Sequence, residues 1–69
     1  MEAVEARDAL ERALFALPPR QRAALFVTEV MGYDSPEAGR ILGVRPGTVR
    51  MLVSQARAAL RARFEEHDA

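Results

Sequence analysis

The sequence predicts an all-α domain of four helices, the last of them long. Three observations carry this reading. Apolar residues recur at three- and four-residue spacing, nothing alternates with period two, and Pro and Gly fall between the periodic segments as stops. With 69 residues, the chain has room for one domain over residues 1–69 and one modest core. A chain this short buries only about 60% of its unfolded surface, so marginal stability is expected. Hydrophobic residues make up 49%, enough for a globular fold and too much for a disordered tail.

The first helix is expected over about residues 2–16, where Val4, Ala6, Leu10, Ala13, Leu14 and Leu17 form an apolar stripe. Pro18-Pro19 stops it, because proline disfavours the helical conformation in the residue before it. Pro19 also suits the first turn of a second helix over residues 20–31, expected to bury Ala23, Leu25, Phe26, Val30 and Met31. Gly32 ends it as a left-handed cap. Asp34 or Ser35 offers an N-cap oxygen to a short third helix over residues 36–42. There Pro36 fits the first position, Glu37 sets a negative charge at the positive end of the dipole, and Gly43 caps the far end. Pro46 then opens a fourth helix over residues 46–66. Its stripe of Val49, Val53, Ala56, Leu60 and Phe64 advances by steps of 4, 3, 4 and 4, which keeps all five on one face.

A net charge of zero hides a segregated distribution. Met1–Ala16 carries −2, Leu17–Phe64 carries +5 and the tail carries −3. From Arg40 to Phe64 there are six arginines and no acid, the footprint expected of a nucleic-acid-binding face. All ten basic residues are arginine, whose planar fork suits bidentate contact with phosphate or guanine. A solvated arginine-rich surface is the plainer reading of the same composition.

Other classes fit poorly. The absence of cysteine excludes a disulfide framework and a thiolate metal site, and no metal or cofactor is expected. No stretch approaches the roughly 18 apolar residues of a membrane span, and the N-terminus lacks a basic-then-apolar signal pattern. Alanine- and arginine-rich helices point to the cytoplasm, with no membrane partner. An enzyme is not expected. The lone His67 sits in an acidic tail, and Ser35, Ser54, Thr28 and Thr48 have no nearby general base.

A short helix, a tight turn carrying Gly43 and a helix with polar residues at its start make the helix-turn-helix layout, with the fourth helix as the recognition helix. Gly39 is small enough to let the two helices pack closely. At these residues the chain resembles region 4 of bacterial sigma-70-type factors, in particular the extracytoplasmic-function subgroup. The resemblance runs from Leu17 to Phe64. It is carried by Leu17-Pro18-Pro19-Arg20-Gln21-Arg22, Gly32-Tyr33-Asp34-Ser35-Pro36-Glu37-Ala38-Gly39, Leu42-Gly43-Val44-Arg45-Pro46-Gly47-Thr48-Val49-Arg50 and Ala56-Arg57-Ala58-Ala59-Leu60.

The resemblance implies a promoter-DNA-binding domain that recognises the −35 element in transcription initiation. It also implies docking on the β flap of the RNA polymerase core, and an anti-sigma factor as a further partner. Arg45, Thr48 and Arg50 fall where that family meets DNA, with Ser54 and Arg57 further along the same helix. Arg20 and Arg22 match its basic positions at the start of the second helix, where phosphate contact is expected. A full sigma factor also needs a promoter-melting domain, for which 69 residues leave no room, so either a piece of a longer factor or a free-standing relative is implied.

The chain departs from the family in the recognition helix. Arg50-Met51-Leu52-Val53 stands where the family usually reads Lys-Ser-Arg-Leu, and Gln55 stands at a position that is commonly arginine. Arg45 replaces the usual capping Ser, and Ala38 replaces an Ile. Two lost basic contacts predict weaker and less salt-dependent DNA binding. If Val49 and Val53 face the core, Met51 faces the groove, where it can touch a thymine methyl. The alternative is a protein-interaction module that uses exposed Met51 and Leu52 to bind an anti-sigma factor, polymerase or a second copy of itself. Arg61 and Arg63 read as solvated surface favoured by the helix dipole.

Overall fold

The computed structural model describes residues 3–68, with side chains through Glu65. The order of elements is α1 (Ala3–Ala16), α2 (Pro19–Leu25) continuing into a π-helical segment (Phe26–Val30), α3 (Ser35–Leu42) and α4 (Pro46–Asp68). The described residues contain no strand. The expected helix start at Glu2 lies outside the described residues, as does the side chain of His67.

The connections have local causes. Asp34 is the N-cap of α3, and its carboxylate accepts from the Glu37 backbone N–H at 2.9 Å. Pro36 takes the second helical position rather than the expected first. Gly43 adopts φ +74°, a left-handed cap that a Cβ would strain, and Gly32 adopts φ +81° where the second helical stretch ends.

That second stretch was expected as one α-helix, and it is not. Over Phe26–Val30 the backbone widens, and the Met31 N–H donates to the Phe26 carbonyl five residues back at 3.1 Å. The Thr28 hydroxyl donates to the Ala24 carbonyl at 2.9 Å. A threonine hydroxyl that engages the carbonyl one turn back competes with the backbone ladder, which gives the local loosening a chemical cause. The Tyr33 N–H donates to the Val27 carbonyl at 3.2 Å and closes the end.

The core is small. Val27 of the π segment, Ala38 of α3 and Val49 of α4 form its centre, with Leu42, Val44 and Val53 packed against it. Helices α2 and α4 pack most extensively against each other, and Ala24 and Ala56, one on each, are fully buried. Small residues there allow a close crossing. Ala13 and Leu17 bury the end of α1.

Three burial expectations need correction. The first half of the α1 stripe is open, with Val4 and Leu10 exposed, because α1 meets the body only near its C-terminal end. On the second stretch Ala24 and Val27 face inward, whereas Phe26, Val30 and Met31 point to solvent at 52%, 68% and 52% exposure. Apolar residues surround much of that helix, so periodicity alone did not choose the buried side. On α4 the buried face is wider than the stripe and includes Leu52, which is 7% exposed.

Candidate nucleic-acid interface

The turn between α3 and α4 sets the geometry. Backbone N–H groups of Gly43 and Val44 both donate to the Gly39 carbonyl, the second at 2.9 Å. An ideal Cβ on Gly39 would stand 2.5 Å from the Val44 carbonyl oxygen, so only glycine permits this approach. The close turn presses Ala38 and Val49 into one core and leaves the opposite side of α4 free.

That free side carries most of the expected contact residues. Arg45 is exposed in the turn, Arg50 and Ser54 are exposed on α4, and Met51 is 51% exposed between them. Thr48 is half-buried. Arg50, Ser54, Arg57 and Arg61 form one wall of an open groove of about 580 Å³. Thr28, Glu29, Tyr33, Asp34 and Ser35 form the opposite wall. Arg61, expected as plain solvated surface, therefore shares a groove with Arg50. The signal was present in the numbering, since the steps 50, 54, 57 and 61 are each about one turn and keep all four on one helix face.

Three expected site residues have other neighbours. Arg57 pairs with Glu29 across the groove, tying α4 to the π segment. Half-exposed ion pairs of this kind contribute about 0–1 kcal/mol, so the pair orients Arg57 more than it stabilises the fold. Arg22 turns toward α1, where its guanidinium donates to the Phe15 carbonyl at 3.1 Å and lies 5.4 Å from the Phe15 ring centre. It satisfies a carbonyl in the last turn of α1 and stacks on an aromatic face, two uses of the same planar fork. Arg20 is exposed beside a small pocket lined by Pro19, Ala23, Leu42, Val44 and Leu52.

Leu52 belongs to the inner face. The expectation of an exposed Met51–Leu52 pair on α4 is therefore corrected: one helical step of about 100° carries Leu52 from the free face to the edge of the core.

Among the described residues, neither Arg50 nor Arg61 has a carboxylate within salt-bridge reach. Of the groove's two acids, Glu29 is paired with Arg57 and Asp34 caps α3. The arginine wall therefore retains uncompensated positive charge, the condition under which a groove attracts an anionic polymer.

Fold and surface together define a helix-turn-helix domain with a basic recognition helix. The chain belongs to the sigma-70 region 4 family, whose model matches residues 7–60. It is 44% identical over 57 residues to the ECF RNA polymerase sigma factor SigM of two Mycobacterium tuberculosis strains, a match covering 83% of this chain and 29% of the relative. It is 40% identical over 58 residues to the ECF RNA polymerase sigma factor SigE of Mycolicibacterium smegmatis, covering 84% of this chain and 23% of that protein. The chain thus spans less than a third of the length of these curated relatives. No solved structure matches. Among the described residues, no helix is long and apolar enough to cross a membrane.

Proposed function

We propose that this domain reads promoter DNA at the −35 element for an alternative sigma factor of the extracytoplasmic-function kind. In this reading α4 enters the major groove and works in transcription initiation in the cytoplasm. The observation that carries it is the free face of α4, where Arg50, Met51 and Ser54 stand exposed directly opposite a core built on Val49 and Ala56. A helix held by one face and polar on the other is what groove entry requires. Arg50 and Ser54 are the base-edge candidates, Arg45 and Thr48 flank the helix start, and Arg61 adds a phosphate contact. Arg57 reaches phosphate from its position beside Glu29. Arg20 is assigned to phosphate, and Arg22 to holding the corner between α1 and α2.

The apolar residues point to a second, separate surface. Phe26, Val30 and Met31 are all more than half exposed on the π segment and its end, on a different element from the arginine wall. This surface suits the RNA polymerase core through its β flap. An anti-sigma factor or a second copy of the chain would compete for the same face. The alternative interface on α4 loses its support, because Leu52 is turned inward.

Selection from a pool of random duplexes at about physiological salt, with Arg50→Ala as control, tests the reading. A short motif enriched by the protein and lost with the variant is the expected result. Weak binding that enriches nothing and vanishes as salt rises would overturn it.

A further inference from the structure

We propose that Met51 reads a thymine. Its thioether packs against the 5-methyl group of one T in the major groove, so the recognised element carries a required T facing the second turn of α4. This rests on the DNA-reading function argued above and adds the identity of one base.

The surroundings of Met51 carry the argument. It is half exposed on the free face of α4. Its neighbours one turn away are Gly47, Thr48, Ser54 and Gln55, all small or polar. A protein partner needs a contiguous apolar patch, and Leu52, the residue that would have widened one here, is buried. A lone apolar side chain in a polar face fits a target with one apolar spot. Charge selects the class of target, since the adjacent Arg50 is exposed and has no carboxylate partner among the described residues.

Base chemistry then selects the spot. In the major groove only thymine presents a methyl group, while cytosine presents an N4 donor, and adenine and guanine present polar edges. A thioether is at best a weak acceptor. Against any base other than thymine it would strip water from a polar edge without replacing the hydrogen bond. Methionine is flexible and polarizable enough to seat against a methyl without an imposed geometry.

The duplex enriched in the selection experiment supplies the probe. Each thymine is replaced singly by deoxyuridine, which removes only the methyl, and Kd is measured by fluorescence anisotropy for the wild-type protein and Met51→Ala. One substitution should weaken wild-type binding about fourfold, the value of one buried methyl-sized group. The same substitution should leave the variant's affinity unchanged. Met51 is half exposed, so the variant folds, and far-UV circular dichroism verifies that. Deoxyuridine effects that are equal in the two proteins, or an enriched element with no coupled thymine, would overturn the proposal while leaving the Arg50-dependent reading intact. A pool that enriches no motif would overturn both.

Discussion

Replacing Gly39 with alanine probes the packing on which the interface depends. The added Cβ would lie 2.5 Å from the Val44 carbonyl oxygen and 3.5 Å from the Arg45 carbonyl carbon and the Pro46 nitrogen. All three are backbone atoms, so relief requires the α3–α4 turn to open. Overpacking of this kind costs about 1–3 kcal/mol. Opening the turn also weakens the 2.9 Å bond from Val44 to the Gly39 carbonyl, worth about 1 kcal/mol. Against this, alanine gains about 0.5–1 kcal/mol over glycine inside a helix. The net expectation for Gly39→Ala is a loss of about 1–3 kcal/mol, the sum of these opposing effects. For a chain of 69 residues, total stability is about 3–10 kcal/mol, so the loss is a large fraction. Thermal unfolding followed by far-UV circular dichroism should show Tm lowered by about 4–8 °C per kcal/mol. Gly47→Ala is the control. It lies in the first turn of α4, where a Cβ meets only the end of the Arg50 side chain at 3.8 Å, so about 0.5–1 kcal/mol of stabilisation is expected. If Gly39→Ala stabilised the domain as Gly47→Ala does, the close turn would be refuted.

Three further outcomes separate the roles of neighbouring side chains. Leu52→Ala should cost about 2–3 kcal/mol in urea unfolding whereas Met51→Ala should stay within about 0.5 kcal/mol, because only the former opens a cavity. Equally small effects would place both residues on the surface, and equally large ones would bury both. Arg22→Ala and Phe15→Ala should each destabilise by about 0.5–1.5 kcal/mol and show coupling in a double-mutant cycle. Arg22→Ala should also leave the salt dependence of duplex binding unchanged, and a slope reduced by about 0.9 would instead make Arg22 a phosphate contact. Glu29→Gln should tighten non-specific duplex binding at low salt, since Arg57 loses its internal partner and the groove loses an acid. Unchanged or weaker binding in anisotropy titrations would show that Glu29 positions Arg57 for DNA rather than holding it back.

Much of the chain's course was legible before any packing was known. Pro18-Pro19, Gly32, Asp34, Gly43 and Pro46 mark the helix ends because each acts through its own φ or through a hydrogen bond to a group three or four residues away. The inward line of Val49, Val53 and Ala56 was legible for a similar reason: steps of four and three keep these residues on one helix face. The exposed positions of Arg45, Arg50, Met51 and Ser54 follow from that line. The pattern in α4 therefore carried both the core and the candidate surface.

Tertiary structure decided what local chemistry leaves open. Apolar residues cover more than one face of the second helical stretch, so only the crossing with α4 could choose Ala24 and Val27 over Phe26, Val30 and Met31. The same crossing drew Leu52 inward. Arginine is long and always charged, so its role depends on which acceptor lies within reach. Arg22 finds a carbonyl and a ring on α1, Arg57 finds Glu29, and Arg50 and Arg61 find no acid among the described residues. Those meetings join residues from different helices. Local signals placed most helix ends and the inward stripe of α4, because proline, glycine and capping residues act on their near neighbours; which apolar side chains are covered and which arginines stay unpaired among the described residues depends on packing, because burial and pairing are relations between elements distant in the chain.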